Sequence, residues 1–355
     1  MAITPRTLYD EDALFDLQDG VGIRTATFEF ELIDGVTGEF RGRITPIRGA
    51  SLSHDTAATT KRRLSLSLGV VDTETINTVR DRVLLYMLIN GTRWPLGKYM
   101  FTNKASQFFT AGRLSNVALV DEMFLVDQRI ERGINGANKL VSAVIAETVA
   151  GLPIELAPLE SSSFDSVESW GIGTNRGNVL TSLSVTGDYF SPWFGNDTKL
   201  HFIRSFDPDK VEPDFNYDIG NQVFRQGIIE TDELLTAPNR VIVVSNAATD
   251  ATASVVGVAD IAANAPNSIR NRGFVVPQVF NLQVADETQA RFVAAGLAQR
   301  LTVFEQVSLS TPPDPRHDSY DVILWQGEKW LELSWTMNLL EGGAMTHTLR
   351  KSYTE

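Results

Sequence analysis

Histidines beside aspartates are the first residues in this chain that could support chemistry. His54 precedes Asp55 and His317 precedes Asp318, and a histidine bonded to a carboxylate forms part of the catalytic triads of hydrolases. Neighbouring residues on a strand point to opposite faces, however, so adjacency in sequence does not bring an imidazole and a carboxylate together. We therefore expect these residues to make hydrogen bonds at turns or interfaces, and we predict no catalytic residue.

Metal and phosphate binding find little support in the sequence. Zinc motifs place two histidines three to five residues apart, and no such pair occurs among His54, His201, His317 and His347. Residues 171–177 are rich in glycine, but their spacing does not match a dinucleotide-binding loop and no P-loop Lys-Ser or Lys-Thr pair follows. The absence of cysteine excludes thiolate ligands and disulfides. We predict no metal site and no cofactor.

Tryptophans could provide stacking platforms for sugars. The candidates are Trp170, Trp193, Trp325, Trp330 and Trp335. Trp330 and Trp335 lie in alternating runs, where packing in a core or between subunits is the usual role. A glycosidase needs two carboxylates at the correct separation, and the sequence singles out no such pair. Packing is favoured, while a carbohydrate-binding receptor protein and a cell-wall hydrolase remain alternatives.

Two β-hairpins are the clearest local patterns. The apolar run Val83 to Ile89 is followed by Asn-Gly, which supplies the positive φ angles of a tight turn between paired strands. The predicted structural hairpin contains Asn90, Gly91, Trp94, Pro95, Leu96 and Gly97. A second hairpin is predicted near the C-terminus around Gln326 to Glu328, and it contains Trp325, Gly327 and Trp330. Both hairpins indicate a protein built on sheets.

The first part of the chain, residues 1–127, is almost entirely β in pattern. Thr25 to Leu32 alternates polar and apolar residues, as a half-buried strand does. Further strands are predicted at Phe40 to Ile44, Arg63 to Val71, Val83 to Ile89, Lys98 to Asn103 and Arg113 to Asp121. Several short strands at this spacing predict a small antiparallel barrel or sandwich.

Helical spacing appears in the middle of the chain and again near its end. One predicted helix carries Leu140, Val141, Val144, Ile145 and Thr148 on one face, and a second begins near Val179 with Asn178 as its cap. The β pattern resumes from about residue 231, for example at Arg240 to Ser245. It is interrupted by a helix over residues 286–301, where Asp286 and Gln289 form a capping box.

The resulting prediction is a β-rich α+β fold in which two small antiparallel β-barrel domains are joined by a mixed α/β region. The first barrel, tube-like, occupies residues 1–127, the mixed domain 128–230 and the second barrel 231–355. Helix 286–301 is expected to pack toward the middle domain.

Composition narrows the function classes. The chain of 355 residues has a formal net charge of -13, which argues against stable phosphate binding because nucleic-acid binding relies on clustered Lys and Arg. An acidic surface could still line a passage through which DNA slides.

The longest apolar run, Val83 to Ile89, is far shorter than the roughly 20 residues of a membrane span. Acidic residues among the first 20 argue against a secretory signal, so we expect assembly in a cytoplasm and no membrane insertion.

The order of these elements resembles the baseplate hub, or tail-tip hub, proteins of tailed bacteriophages, which in siphophages are often called minor tail proteins. The resemblance covers most of the chain. The segments that carry it are the first β block with its Trp94 hairpin, Asn239 to Val243, the polar loop Asn267 to Gly273, the helix Asp286 to Leu301, and Pro315 to Asp318 with the segment that runs through Trp330 to Lys351.

This resemblance implies a structural virion protein without enzymatic activity, located at the tail tip and assembled in the host cytoplasm. It implies two barrels per chain and a homotrimer whose six barrels continue the sixfold tail tube and surround the DNA ejection channel. The implied partners are the tail tube or distal tail protein, the tape measure protein and tip or fibre proteins. DNA would be met only in transit through the lumen.

Overall fold

The computed structural model describes residues 26–47, 49–69, 76–109, 112–218, 225–230, 236–246, 254–301 and 305–351. The acidic residues of the first 20 positions lie outside these ranges. No helix of the described residues is both long and apolar enough to cross a membrane.

The described residues form 22 strands, five α-helices and one 3-10 turn. The first block contains β1 (Ala26–Asp34), β2 (Phe40–Ile44), β3 (Ala50–Asp55), β4 (Arg62–Leu68), β5 (Asp81–Ile89), β6 (Thr92–Phe109) and β7 (Gly112–Val120). The middle contains α1 (Met123–Val126), β8 (Ile134–Asn135), β9 (Lys139–Leu140), α2 (Val141–Val149), β10 (Asp165–Ser166), β11 (Ser169–Trp170), α3 (Arg176–Thr186), β12 (Trp193–Phe194), β13 (Leu200–His201), the 3-10 turn Pro208–Lys210 and β14 (Phe215–Asn216). The last part contains β15 (Arg225–Glu230), β16 (Arg240–Asn246), β17 (Ser254–Asp260), α4 (Ile269–Arg272), β18 (Pro277–Asn281), α5 (Glu287–Leu301), β19 (Glu305–Thr311), β20 (Val322–Trp325), β21 (Glu328–Asn338) and β22 (Met345–Lys351).

One sheet joins the two ends of the chain. It contains 13 strands, eleven of which follow the order β15-β19-β22-β21-β3-β4-β7-β6-β5-β1-β2. β20 pairs with β21, and β14 runs parallel to β20. The link between the ends is the antiparallel pairing of β21 with β3, which places Trp335 opposite His54. The β-rich character of the fold is confirmed. No closed barrel occurs among the described residues, so the two barrels remain a prediction.

The main core lies on one face of this sheet. β5 shows the cause: its alternate residues Val83, Leu85, Met87 and Ile89 are buried, because successive side chains of a strand point to opposite faces. Residues of β21 and β22, including Trp335, belong to the same cluster. The core therefore continues across the β3 and β21 pairing rather than stopping between the two β blocks.

The middle of the chain has its own core, in which α2 and α3 pack together with several short strands. Two details of the sequence prediction are wrong. Leu140 precedes α2 and is exposed, rather than sharing its buried face. The cap of α3 is Asn175, whose side chain accepts a hydrogen bond from the backbone N–H of Asn178. A cap must precede the first helical turn, and α3 begins at Arg176, earlier than the apolar spacing indicated.

The longest helix, α5, covers a separate sheet of β17, β16 and β18. Its start follows the predicted capping pattern: Asp286 Oδ1 accepts a hydrogen bond from Gln289 N at 2.8 Å, and Gln289 Oε1 accepts one from Ala285 N at 2.7 Å. Gln289 also donates to the carbonyl of Thr186, the last residue of α3, at 3.2 Å. The helix thus contacts the middle of the chain.

Candidate functional site

The segment between β19 and β20, which we call the elbow (residues 312–321), reaches three parts of the molecule. Its prolines limit the backbone conformations available to it, because each fixes φ and removes an N–H donor. Asp314 and Arg316 form an ion pair within it. The adjacent residues His317 and Asp318 point in different directions, and each enters a separate buried polar cluster.

The junction cluster consists of Arg62, Trp193, Asn196 and Asp318. Arg62 Nη2 lies 2.7 Å from Asp318 Oδ1, and the same oxygen accepts a hydrogen bond from Trp193 Nε1 at 2.7 Å. Arg62 also donates to Asn196 Oδ1 at 2.6 Å, while Asn196 donates to the carbonyls of Pro315 and His317. The cluster therefore ties β4, β12 with its following turn, and the elbow to one another.

Burial and a neighbouring carboxylate have opposite effects on the pKa of Arg62. Removal from water disfavours its charged form, but the carboxylate of Asp318 is the strongest opposing influence and raises the pKa of Arg62 above its usual value. The guanidinium therefore stays charged inside the protein. A buried charge of this kind requires its partner, because an unpaired one is expensive in free energy.

A serine and a histidine meet beside this cluster. Ser319 Oγ lies 2.8 Å from His54 Nε2, and His54 stacks on Trp335 at 5.3 Å between ring centroids. A nucleophile with a general base is a catalytic arrangement. Here both residues are buried, and His54 Nδ1 has no hydrogen-bond partner among the described residues that would orient the ring. Both side chains are therefore closed off from solvent in this arrangement.

The histidine cluster consists of His317, Glu332 and His347, all buried. Glu332 lies between the two rings: its Oε2 is 2.9 Å from His317 Nδ1 and its Oε1 is 2.5 Å from His347 Nδ1. The outer nitrogens also have partners, since His317 Nε2 lies 2.6 Å from Tyr217 Oη and His347 Nε2 lies 2.8 Å from Thr311 Oγ1. Sequence spacing missed this group, because its members come from the elbow, β21 and β22.

The two histidines of this cluster differ in charge. Burial by itself would lower the pKa of His317, but Glu332 raises it well above the usual value. Burial dominates at His347 and lowers its pKa. Burial favours the neutral acid at Glu332, yet the two histidines hold its pKa below the usual value. The resulting state is a charged His317, an ionised Glu332 and a neutral His347 in a hydrogen-bonded chain.

The predicted hairpins lie at two-residue turns. Asn90 and Gly91 have φ angles of 49° and 87°, and Gln326 and Gly327 have 55° and 74°, as a type I′ turn requires. The second turn is one residue shorter than predicted, because Glu328 already pairs with Trp325. Trp94, Leu96, Gly97, Trp325 and Trp330 are buried and Pro95 is half-buried.

The tryptophan rings discussed as sugar-stacking candidates are buried or half-buried. Trp193 is fully buried and donates its N–H to Asp318, and Trp335 is buried against His54. Trp170 is half-buried within the core of the middle region. Side chains engaged in this way do not present the open ring face on which a sugar stacks.

The opposite face of the large sheet carries an open groove of about 740 Å³. It crosses the pairing of β3 with β21, and its walls include Ser51, Ser65, Asn116, Thr336 and Asn338. None of the described residues that line it is charged or aromatic. The described lining of the groove therefore consists of small polar and aliphatic residues.

Four charged side chains on the same side of the sheet form ion pairs with one another. Glu29 and Glu31 of β1 face Arg43 of β2 and Arg93 of β6, with separations from 2.7 to 3.4 Å. Arg93 also lies over the ring of Tyr86 at 3.5 Å. The charges of these four side chains balance, so the acidic excess of the chain is not concentrated here.

The fold is similar to that of phage tail proteins. The tail protein from Neisseria meningitidis MC58 matches with a TM-score of 0.63 and 9% identity, over 92% of this chain and 96% of that protein. The 43 kDa tail protein of prophage MuSo2 from Shewanella oneidensis matches with a TM-score of 0.59 and 10% identity, over 91% and 98%. Prophage tail protein gp18 from Listeria monocytogenes EGD-e matches with a TM-score of 0.54 and 8% identity, over 90% and 94%. No protein-family model and no curated protein matches the sequence. The predicted resemblance to tail proteins is confirmed at the level of the fold.

Proposed function

We propose that the chain is a structural tail protein of a bacteriophage, and specifically a trimeric hub that adapts a sixfold tail tube to a threefold tip. The observation that carries the proposal is the match of nearly the whole chain to nearly the whole of three tail proteins from different bacteria. A match confined to one domain would be compatible with many functions, since common folds recur in unrelated proteins. Here the similarity extends over 90% or more of this chain and of each of the three tail proteins.

The ends of the large sheet support assembly into a ring. β2 and β15 end the path of strands, and each pairs on one side only within the described part of the chain. Three large apolar side chains beside or on β2, namely Val36, Phe40 and Ile47, are exposed by 80%, 60% and 56%. An open strand edge with exposed apolar side chains tends to pair with other chains, so a neighbouring subunit is its natural cover.

The neutral face of the sheet suits a wall along which DNA moves. The groove that includes Ser65, Asn116 and Thr336 has no charged lining, and Arg43 and Arg93 on the same side of the sheet are paired with glutamates. A basic surface would bind phosphates and release counterions, which would slow passage in a salt-dependent way. In this proposal DNA is met only in transit, and the stable partners are the tail tube or distal tail protein, the tape measure protein and tip or fibre proteins.

The alternative functions have less support from the site. A carbohydrate-binding receptor protein would need exposed aromatic faces, whereas Trp193 and Trp335 are buried and the groove contains no aromatic residue. A cell-wall hydrolase would need an accessible reaction centre, whereas Ser319 and His54 are buried. The proposal is therefore a non-enzymatic virion component.

The oligomeric state of the full chain tests the proposal. Light scattering at micromolar concentration, with electron microscopy of the same sample, should find a ring-shaped trimer. Phe40→Asp should yield monomers that keep the wild-type circular dichroism spectrum, because it places a charge on the edge strand without entering the core. Ile172→Asp, at a residue that is 76% exposed in the middle region, is the matched control and should remain trimeric. A monomeric wild-type chain, or a closed sixfold ring, would contradict the trimeric hub.

A further inference from the structure

We propose that the histidine cluster binds a divalent transition metal of the zinc type. One nitrogen from each of His317 and His347 and one oxygen of Glu332 lie within 4.8 Å of one another. Neutral imidazole and carboxylate form one of the common ligand sets of zinc in proteins. The three residues come from the elbow, β21 and β22, so a bound ion would link segments that are distant in sequence.

The separations within the cluster are compatible with a shared ion. A tetrahedral zinc with bonds near 2.0 Å places its ligand atoms roughly 3.3 Å apart. His317 Nδ1 lies 2.9 Å from Glu332 Oε2 and 3.6 Å from Asp321 Oδ2, which bracket that value. The three ligand atoms lie within 4.8 Å of one another, so coordination would require the side chains to draw together by up to about 1.5 Å.

The outer hydrogen bonds fix both rings in the required orientation. Metal-binding histidines usually donate their second nitrogen to a neighbouring oxygen, which sets the tautomer and the ring plane. Here Tyr217 Oη and Thr311 Oγ1 lie next to the two Nε2 atoms, at 2.6 Å and 2.8 Å. Both Nδ1 atoms therefore face Glu332.

Metal binding would be coupled to folding. The cluster is buried, so the ion would enter while the chain folds and exchange slowly afterwards. It would take the place of the proton on His317 Nδ1 and release that proton to solvent. Because only the folded chain brings these ligands together, the ion would stabilise the folded state.

The experiment measures metal in the full-length chain. Protein produced with added zinc is dialysed against EDTA and its metal content is determined by mass spectrometry. We expect about one zinc per chain, reduced to background in His347→Gln. The matched control is His201→Gln, which changes a half-buried histidine outside the cluster and should retain the metal.

A second measurement tests metal binding by the histidine cluster even if His347→Gln fails to fold. Wild-type chain refolded with cobalt in place of zinc should show the visible absorption bands of a tetrahedral nitrogen and oxygen site. It should also melt at a higher temperature than chain refolded with EDTA. Absence of retained zinc, of cobalt bands and of a melting shift would overturn the proposal and leave a purely hydrogen-bonded cluster.

Discussion

The guanidinium of Arg62 and the carboxylate of Asp318 form a buried ion pair at 2.7 Å, although 256 positions separate them in sequence. Arg62 begins β4, Asp318 lies in the elbow, and Trp193 of β12 donates to the same carboxylate. One carboxyl group therefore connects the first β block, the middle region and the last part of the chain. Its contacts explain why these regions pack in one arrangement.

Removal of this ion pair should strongly destabilise the chain. Arg62→Gln would leave Asp318 buried without its cationic partner, and loss of one member of a buried pair costs about 3 to 5 kcal/mol. Arg63→Gln is the matched control, because Arg63 is the next residue and is exposed; exposed changes usually stay within about 0.5 kcal/mol. Urea unfolding followed by circular dichroism measures both. Equal losses in the two variants would show that the pair is not a major contributor.

Trp94 of the first hairpin should be a packing residue. It is 2% exposed and belongs to the main core, and truncation of a buried tryptophan to alanine costs about 3 to 5 kcal/mol. Trp94→Ala should therefore lower the melting temperature and the yield of soluble protein. Ile172→Ala, at a residue that is 76% exposed in the middle region, serves as the control. A Trp94 variant with normal melting that had lost only host binding would instead identify a receptor contact.

Gly257 should be required for the contact between β17 and α5. A Cβ atom at this position would lie 2.1 Å from the carbonyl carbon of Ala290 in α5, so the helix would have to move away from the sheet. Overpacking of this kind costs about 1 to 3 kcal/mol. Gly257→Ala should lower the melting temperature accordingly. Gly171→Ala should not, because no atom lies within 4 Å of its added Cβ.

Lys61 should make stability depend on pH in the alkaline range. Burial lowers the pKa of its amine to about 8 in the folded chain, compared with about 10.4 in an unfolded chain. Between these values the unfolded chain binds more protons, so the free energy of unfolding contributed by Lys61 increases as pH rises. The difference between wild type and Lys61→Met should shift in favour of wild type by about 1 kcal/mol per pH unit.

The measurement is urea unfolding of both chains at pH 7, 8, 9 and 10. Lys98→Met is the control, because Lys98 is half-buried and its ammonium forms an ion pair with Glu122 at 2.9 Å. A constant difference between wild type and Lys61→Met across this range would contradict the lowered pKa.

The sequence determined the features that depend on neighbouring residues. Asn90 and Gly91 specify a turn because they tolerate positive φ, alternation predicts the strand Val83 to Ile89, and Asp286 with Gln289 marks the start of α5. These signals rest on local backbone preference and side-chain period, which act over a few residues. The general β-rich class and the resemblance to tail proteins followed from their order.

The way in which the two ends of the chain meet depends on contacts between segments that are distant in sequence. The sequence prediction omitted β3, whose alternating small residues such as Ser51 give a weak strand signal, yet β3 pairs with β21 and makes the sheet continuous. His317 and His347 were judged too far apart for a common site, although Glu332 lies between them. Pairing of distant strands depends on complementary surfaces and long-range chain closure, which leave no fixed spacing in the sequence. For that reason the separation of His317 and Asp318 into two clusters became visible only once the elbow was placed against β4, β12 and β21.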